Sequence, residues 1–170
     1  MELEKLIRDV PDFPKEGILF KDITTLLKDP QGFKAAVDQL YTAVKDLDVD
    51  IVVGLESRGF IFAPQLALML NAGFVPIRKP GKLPAETIAE EYQLEYGTDK
   101  IEIHKDAIAP GQKVLLVDDL LATGGTASAA ISLLKKLDAQ IAGSLFLIEL
   151  SFLNGREKLA EEKVISIIKY

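Results

Sequence analysis

The chain has 170 residues with no cysteine and a single histidine, which removes disulfides, thiol nucleophiles and metal sites built from Cys or His clusters. Its formal net charge of −6 argues against nucleic acid as a partner, because non-specific binding needs a basic footprint. With 48% hydrophobic and 27% charged residues, it has the composition of a globular domain that buries roughly 70% of its unfolded surface without staples.

Leu3, Leu6, Ile7 and Val10 recur at i, i+3, i+4 and i+7 and predict a short amphipathic helix, stopped by Pro11 and Pro14. This segment lacks the long apolar core of a signal peptide, and "FIFAPQLALML" is too short to span a bilayer. The expectation is a cytoplasmic protein with no membrane partner. "FPKEGILFKDITTLL" reads as a loop. Asp29 then caps a helix with Pro30 at its first position and an inward stripe of Phe33, Ala36, Val37, Leu40, Tyr41 and Val44. "DIVVGL" is a short apolar run of the kind found in strands covered on both faces. It leads through "ESRGF" into a helix ending near Leu70, and "FVPI" is the next strand. "YQLEY" and "KIEIH" alternate as a two-stranded antiparallel ribbon, reached through "RKPGKLPAETIAEE". "VLLVDD" is a strand, followed by a helix with the stripe Ala127, Ala130, Ile131, Leu134 and Leu137; the strands "IAGSLFLIEL" and "VISIIKY" finish the chain.

Strands alternating with helices imply right-handed crossovers and an α/β fold: a doubly wound, mostly parallel sheet with flanking helices. No repeat, low-complexity tract or linker interrupts it, so residues 1–170 are expected to form a single domain, with an inserted antiparallel hood at about 78–105. In such folds ligands bind beyond the carboxyl ends of the strands, and both unusual turns, "ESRGF" and "DDLLATGGT", stand there.

"GLESRGF" has the two glycines of a Walker A loop, but Phe60 occupies the lysine position, and "ATGGT" is not the dinucleotide fingerprint. In "DDLLATGGT", Gly124 and Gly125 let the backbone curl with exposed N–H groups, Thr123 and Thr126 add hydroxyls, and Thr126 is placed to cap the following helix. That cradle suits one phosphate monoester. Asp118 and Asp119 need a ligand part that donates hydrogen bonds, since ionised carboxylates only accept. A vicinal diol meets the need, so the expected ligand carries a phosphate at one end and ribose hydroxyls a few bonds away: a ribose 5-phosphate. Aspartates and glycines after a strand are common turn formers; the paired acids, hydroxyl-rich diglycine turn and helix together are far more specific.

"VLLVDDLLATGGT" resembles the phosphoribosyl-diphosphate signature of the type I phosphoribosyltransferases. "PDFPKEGILFKDITTLLKDP", "GLESRGFIFAP", "IRKPGKLP", "YQLEYGTDKIEIHKDAIAPGQ" and "GREKL" extend the resemblance, in order, to the adenine phosphoribosyltransferase family over nearly the whole chain. The resemblance implies the type I phosphoribosyltransferase fold, with a base-binding segment at about 1–30 and a flexible hood. It implies a glycosyltransferase of purine salvage: adenine and 5-phosphoribosyl 1-diphosphate give AMP and diphosphate with Mg²⁺, through an oxocarbenium-like transition state with inversion.

Carried onto this chain, the family's pattern gives catalytic roles to Asp118 and Asp119 at the ribose hydroxyls and to Glu95, facing N7 of the purine. Ala122, Thr123, Gly124, Gly125 and Thr126 would hold the 5′-phosphate, and Ser57, Arg58, Arg78, Lys79 and Lys82 the diphosphate. Leu19, Phe20 and Lys21 would receive adenine, with Leu19 reading its edge through the backbone and Phe20 stacking. Many members have arginine where this chain has Lys21, and lysine lacks arginine's planar fork. Tyr96 would help close the hood, and Mg²⁺ would be held mainly through substrate and water. The family also implies a homodimer and a non-proline cis peptide at Glu56–Ser57. His104 is assigned no catalytic part. The alternatives are a regulatory module that senses phosphoribosyl diphosphate, or a transferase for another purine base. The acidic charge disfavours the first, "GILFKD" and "LEYG" the second.

Overall fold

In a computed structural model, which describes residues 1–94 and 97–170, the chain divides into two units, Met1–Gln39 and Leu40–Tyr170. The first unit opens with a single 3-10 turn, Leu3–Leu6, and continues as strand β1, Arg8–Pro11, which pairs antiparallel with β2, Leu19–Asp22. The helix expected over Leu3–Val10 is therefore one turn followed by a strand, and the loop expected around "GILFKD" supplies its partner. The apolar pattern from Leu3 to Val10 spans eight residues before Pro11, short of the roughly 12–15 that an isolated helix needs. Pairing with β2 satisfies the backbone instead, and Asp12 Oδ1 accepts a hydrogen bond from the Gly17 N–H at 2.7 Å across the connecting loop. Asp22 closes the hairpin: its carboxyl, held at about 2 by the Thr24 N–H, Arg8 and the Thr24 hydroxyl, leads into helix α1, Thr24–Leu27. Helix α2, Pro30–Val44, starts where expected, with Asp29 Oδ1 accepting from the Gly32 N–H at 2.7 Å.

The second unit is built on a five-stranded parallel sheet. Its elements follow as β3, Ile51–Leu55; α3, Ala63–Met69; β4, Gly73–Ile77; β5, Thr87–Gln93; β6, Thr98–His104; β7, Lys113–Leu121; α4, Gly125–Lys136; β8, Gln140–Glu149; and β9, Val164–Lys169. The sheet order is β4-β3-β7-β8-β9 with every pair parallel, as the near-continuous apolar runs required. Val53, Leu116 and Phe146 from the sheet join Ile131 and Leu134 of α4 and Ile101 and Ile103 of β6 in one buried cluster. From β3 the chain turns to one neighbour, β4, and later fills the other side with β7, so the order reverses at β3 and β7. Crevices at such a reversal are where doubly wound sheets bind ligands.

The antiparallel ribbon is β5 with β6, and its register differs from expectation. Pairing runs from Thr87↔His104 to Gln93↔Thr98, so "TIAEE", read as connection, is strand. Among the described residues of "YQLEY", Tyr92 and Gln93 pair with β6, and the Leu94 N–H donates to the Gly97 carbonyl at the hairpin's end. No helix among the described residues is long and apolar enough to cross a membrane.

Candidate active site

β7 runs two residues past the pair of acids, so Asp118 and Asp119 lie within the strand rather than at its end; Asp118 pairs with Phe146 and Leu120 with Ile148. Asp118 Oδ1 accepts from the Asp119 N–H at 2.9 Å. Asp119 is 3% exposed, and its Oδ2 lies 2.9 Å from Arg58 Nε. Burial and the neighbouring Asp119 charge push the Asp118 carboxyl well above the usual range. Burial also raises Asp119, while Arg58 pulls it back. The two acids thus crowd together at the sheet's carboxyl edge with Arg58 beside them, an arrangement of the kind that shifts pKa values at functional sites. The 3-10 turn Arg58–Ile61 packs directly on them: a Cβ on Gly59 would stand 2.8 Å from the Val117 carbonyl oxygen and 3.1 Å from Asp118 Oδ1.

Beyond β7, residues 122–126 curl into a cup. A cavity of about 90 Å³ is lined by Asp118 and the chain from Leu120 to Ala127. Gly124 sits at φ +80°, a left-handed conformation that disfavours side chains, and its carbonyl accepts the first bond of α4 from the Ser128 N–H at 2.9 Å. Gly124 is thus the N-cap of α4. Thr126, expected to cap the helix, is its second residue, and the N-cap Gly124 makes no side-chain cap. The N–H groups of the first turn lie at the end of the helix where an anion is favoured.

The "ESRGF" turn carries the Glu56–Ser57 peptide in the cis form, as the resemblance implied. Glu56 gathers the neighbouring basic loop. Its carboxylate accepts from the Lys79 N–H at 2.8 Å and from Lys82 Nζ at 2.7 Å, and it lies 3.4 Å from Arg78 Nε. Burial raises this carboxyl, but Lys82, the Lys79 N–H and Arg78 outweigh it and hold it at about 2. Lys79 Nζ turns instead to Asp99 and, at 3.1 Å, to the Tyr92 hydroxyl. Arg78 also exchanges backbone hydrogen bonds with Glu102 of β6, so the basic loop is tied to the ribbon. His104 Nε2 accepts from the Ala85 N–H at 3.2 Å, a structural contact.

In the first unit, Leu19 and Phe20 occupy β2 opposite Pro11 and Val10. The Phe20 ring meets Phe13 edge-on with centroids 5.1 Å apart, and Lys21 Nζ pairs with Asp9 Oδ1 at 2.6 Å. Glu95 and Tyr96 lie outside the described residues.

Residues 22–169 match the phosphoribosyl transferase domain. The chain is 60% identical to adenine phosphoribosyltransferase of Halothermothrix orenii over 99% of both sequences. The crystal structure of adenine phosphoribosyltransferase from Thermoanaerobacter pseudethanolicus superposes with a TM-score of 0.97 at 52% identity, covering 99% of this chain and 98% of that one. The Saccharomyces cerevisiae enzyme, complexed with D-2,5-dideoxy-2,5-imino-altritol 1,6-bisphosphate and adenine, gives a TM-score of 0.92 at 45% identity, covering 98% and 96%. The chain belongs to the adenine phosphoribosyltransferase family.

For an adenine phosphoribosyltransferase, the second unit brings together Asp118, Asp119, Arg58 and the cup on one side, and Arg78, Lys79 and Lys82 around Glu56 on the other. These groups stand out in the sequence, but the parts that hold them do not: Glu56 shows only as a turn residue of the implied cis peptide, Gly59 only as one glycine of a Walker-like spacing, and Gly155, which touches the cup, only as part of "GREKL". The signal for Glu56 was its acidic charge beside a basic loop; for the glycines there was none, since their neighbours lie far away in sequence.

Proposed function

We propose that the protein transfers the 5-phosphoribosyl group from 5-phosphoribosyl 1-diphosphate to N9 of adenine, releasing AMP and diphosphate with inversion at C1′. The observation that carries this reading is the acid pair beside the glycine cup, Asp119 buried and Asp118 half-buried, in a chain 60% identical to a named adenine phosphoribosyltransferase. The cup takes the 5′-phosphate on backbone N–H groups and the N-terminus of α4. Asp118 accepts from the ribose hydroxyls and places negative charge near the cation that develops at the sugar, usually the largest kind of catalytic effect. Asp119 joins it when Arg58 leaves its carboxylate for the arriving diphosphate, an exchange of one anion for another across 2.9 Å of ion pair. Arg78 and Lys82 likewise pass from Glu56 toward the leaving group, together with Ser57 and Lys79.

Leu19 reads adenine through its backbone: its N–H donates to N1 and its carbonyl accepts from the N6 amino group, with Phe20 stacked on the ring and Lys21 nearby. Hypoxanthine and guanine reverse that pattern and leave polar groups unpaired. Glu95 manages the proton at N7 as N9 attacks, and Tyr96 helps exclude water.

Among the described residues no three His, Asp or Glu side chains gather into a metal site. The carboxylate oxygens of Asp118 and Asp119 and the substrate's own oxygens are the hard donors that Mg²⁺ takes, and it usually keeps several waters. Bound mainly through substrate and water, it would neutralise the diphosphate as that group departs. A homodimer in the cytoplasm belongs to the same reading. The test is to mix the protein with 5-phosphoribosyl 1-diphosphate, Mg²⁺ and each purine base in turn. AMP from adenine is expected; turnover confined to hypoxanthine or guanine overturns the substrate, and binding without turnover makes the protein a sensor.

A further inference from the structure

Gly155 opens the 3-10 segment Gly155–Leu159 and lies against the phosphate cup. A Cβ built on it would stand 2.2 Å from the Ala122 carbonyl oxygen and 3.0 Å from the Gly124 nitrogen; one built on Gly124 would stand 2.4 Å from the Gly155 carbonyl oxygen. Two backbones therefore touch with no side chain between them, and the position of one limits the other. The next residue is fixed from the opposite side. Arg156 donates from Nε to Glu149 Oε1 at 2.9 Å and from Nη2 to Oε2 at 2.5 Å, a bidentate fork, and from Nη1 to the Val164 carbonyl at 2.8 Å. The Ser166 hydroxyl donates to the same carboxylate at 2.6 Å. Glu149 is the last residue of β8 and is 5% exposed; hydrogen bonding to Arg156 outweighs burial and keeps its carboxyl below the ordinary range. The fork thus ties the residue after Gly155 to the ends of two sheet strands.

We propose that Arg156 is a positioning residue for the sugar phosphate: clamped by Glu149, it presses Gly155 against Ala122–Gly124 and so sets the spacing of the cup's N–H groups. Nothing in the transfer chemistry requires Arg156 to touch a substrate, and its guanidinium is already committed to Glu149 and Val164. A planar fork is what this task needs, since a single ammonium cannot hold two oxygens in a fixed plane.

The inference rests on the cup being the 5′-phosphate site, and the experiment separates the two. Arg156→Lys keeps the charge but loses the fork. Glu149→Gln with Arg156→Gln removes both charges and leaves no buried ion unpaired. For each variant, KM for 5-phosphoribosyl 1-diphosphate, KM for adenine, the melting midpoint, and the affinity for ribose 5-phosphate by calorimetry are measured. A small misplacement of binding groups is enough to cost on the order of tenfold. Both variants should therefore weaken ribose 5-phosphate and raise KM for 5-phosphoribosyl 1-diphosphate by about tenfold, with KM for adenine within about twofold. Unchanged ribose 5-phosphate affinity in a folded variant overturns the positioning role. So does a lower midpoint with both KM values unchanged, or a parallel rise in the two. If the double variant does not fold, Arg156→Lys decides alone. Wild-type protein that binds ribose 5-phosphate but makes no AMP refutes the proposed reaction and leaves the clamp standing; wild-type protein that does not bind it refutes both.

Discussion

Asp118 is placed where it harms the fold, and this is its signature. A carboxyl raised above its ordinary 3.8 binds its proton more tightly in the native chain than in the unfolded one. Between 3.8 and the raised value the native state carries the extra proton, so stability falls as pH rises through that window. Asp118→Asn keeps the shape and removes the charge. It should raise stability at pH 7 by about 0.5–2 kcal/mol, flatten the decline of the melting midpoint as pH rises above 3.8, and cut turnover by roughly 10²–10³. Melting curves across that range check the first part, and a variant less stable than wild type at pH 7 would make Asp118 a structural residue. Gly59 supports the same carboxylate by being absent as a side chain. Gly59→Ala puts a methyl group 2.8 Å from the Val117 carbonyl oxygen and 3.1 Å from Asp118 Oδ1. A cost of about 1–3 kcal/mol and a displaced Asp118 are expected. Urea unfolding and turnover measured on one preparation should show both losses, and wild-type values for both would mean that β7 yields freely.

Elements that bury their own residues were legible, and those that answer to distant partners were not. Ile51–Leu55, Lys113–Leu121 and Gln140–Glu149 carry apolar runs that only a covered parallel strand explains, and each became one. The period of Leu3, Leu6, Ile7 and Val10 pointed to a helix, yet Pro11 and a strand ten residues away decided otherwise. The acid pair and the glycine cup were legible because each signals its chemistry within a dozen residues. Glu56 was not, because its partners Arg78, Lys79 and Lys82 come more than twenty residues later. Its part is open to measurement. A carboxyl at about 2 in the native state, against 4.5 ordinarily, adds stability that is complete above about 5 and disappears as pH falls to about 2. Glu56→Gln should therefore cost about 1–3 kcal/mol at pH 7 and progressively less below about pH 5. Urea unfolding at several pH values reads this directly, and a cost that does not change with pH would assign it to lost packing rather than lost charge.

At the scale of the molecule, strand order makes the site. β3 and β7 are neighbours although about sixty residues separate them, so "ESRGF" and "DDLLATGGT" end side by side at the sheet's carboxyl edge. Neither turn alone has enough charge or shape to hold a phosphorylated sugar with its diphosphate, and the sequence offered each without the other's location. A ligand that needs both turns must stabilise the native chain in proportion to what it gains from each. At a concentration a hundred times its dissociation constant, a ligand bound only by the native state adds about 2.7 kcal/mol. For a chain of this length that corresponds to a rise of about 5–10 °C in the melting midpoint. With Mg²⁺ present, 5-phosphoribosyl 1-diphosphate should produce such a shift in the wild type. Asp118→Asn with Asp119→Asn leaves the cup and the basic loop in place but exchanges two charged acceptors for neutral amides, which on the proposed reading hold the ribose hydroxyls more weakly, so at the same ligand concentration the shift should shrink to a few degrees without vanishing. Ribose 5-phosphate, which has no diphosphate, should lose the larger share of its smaller shift in that variant. Equal shifts in wild type and double variant, for both ligands, would mean that the sugar is held elsewhere and that the two acids face no substrate.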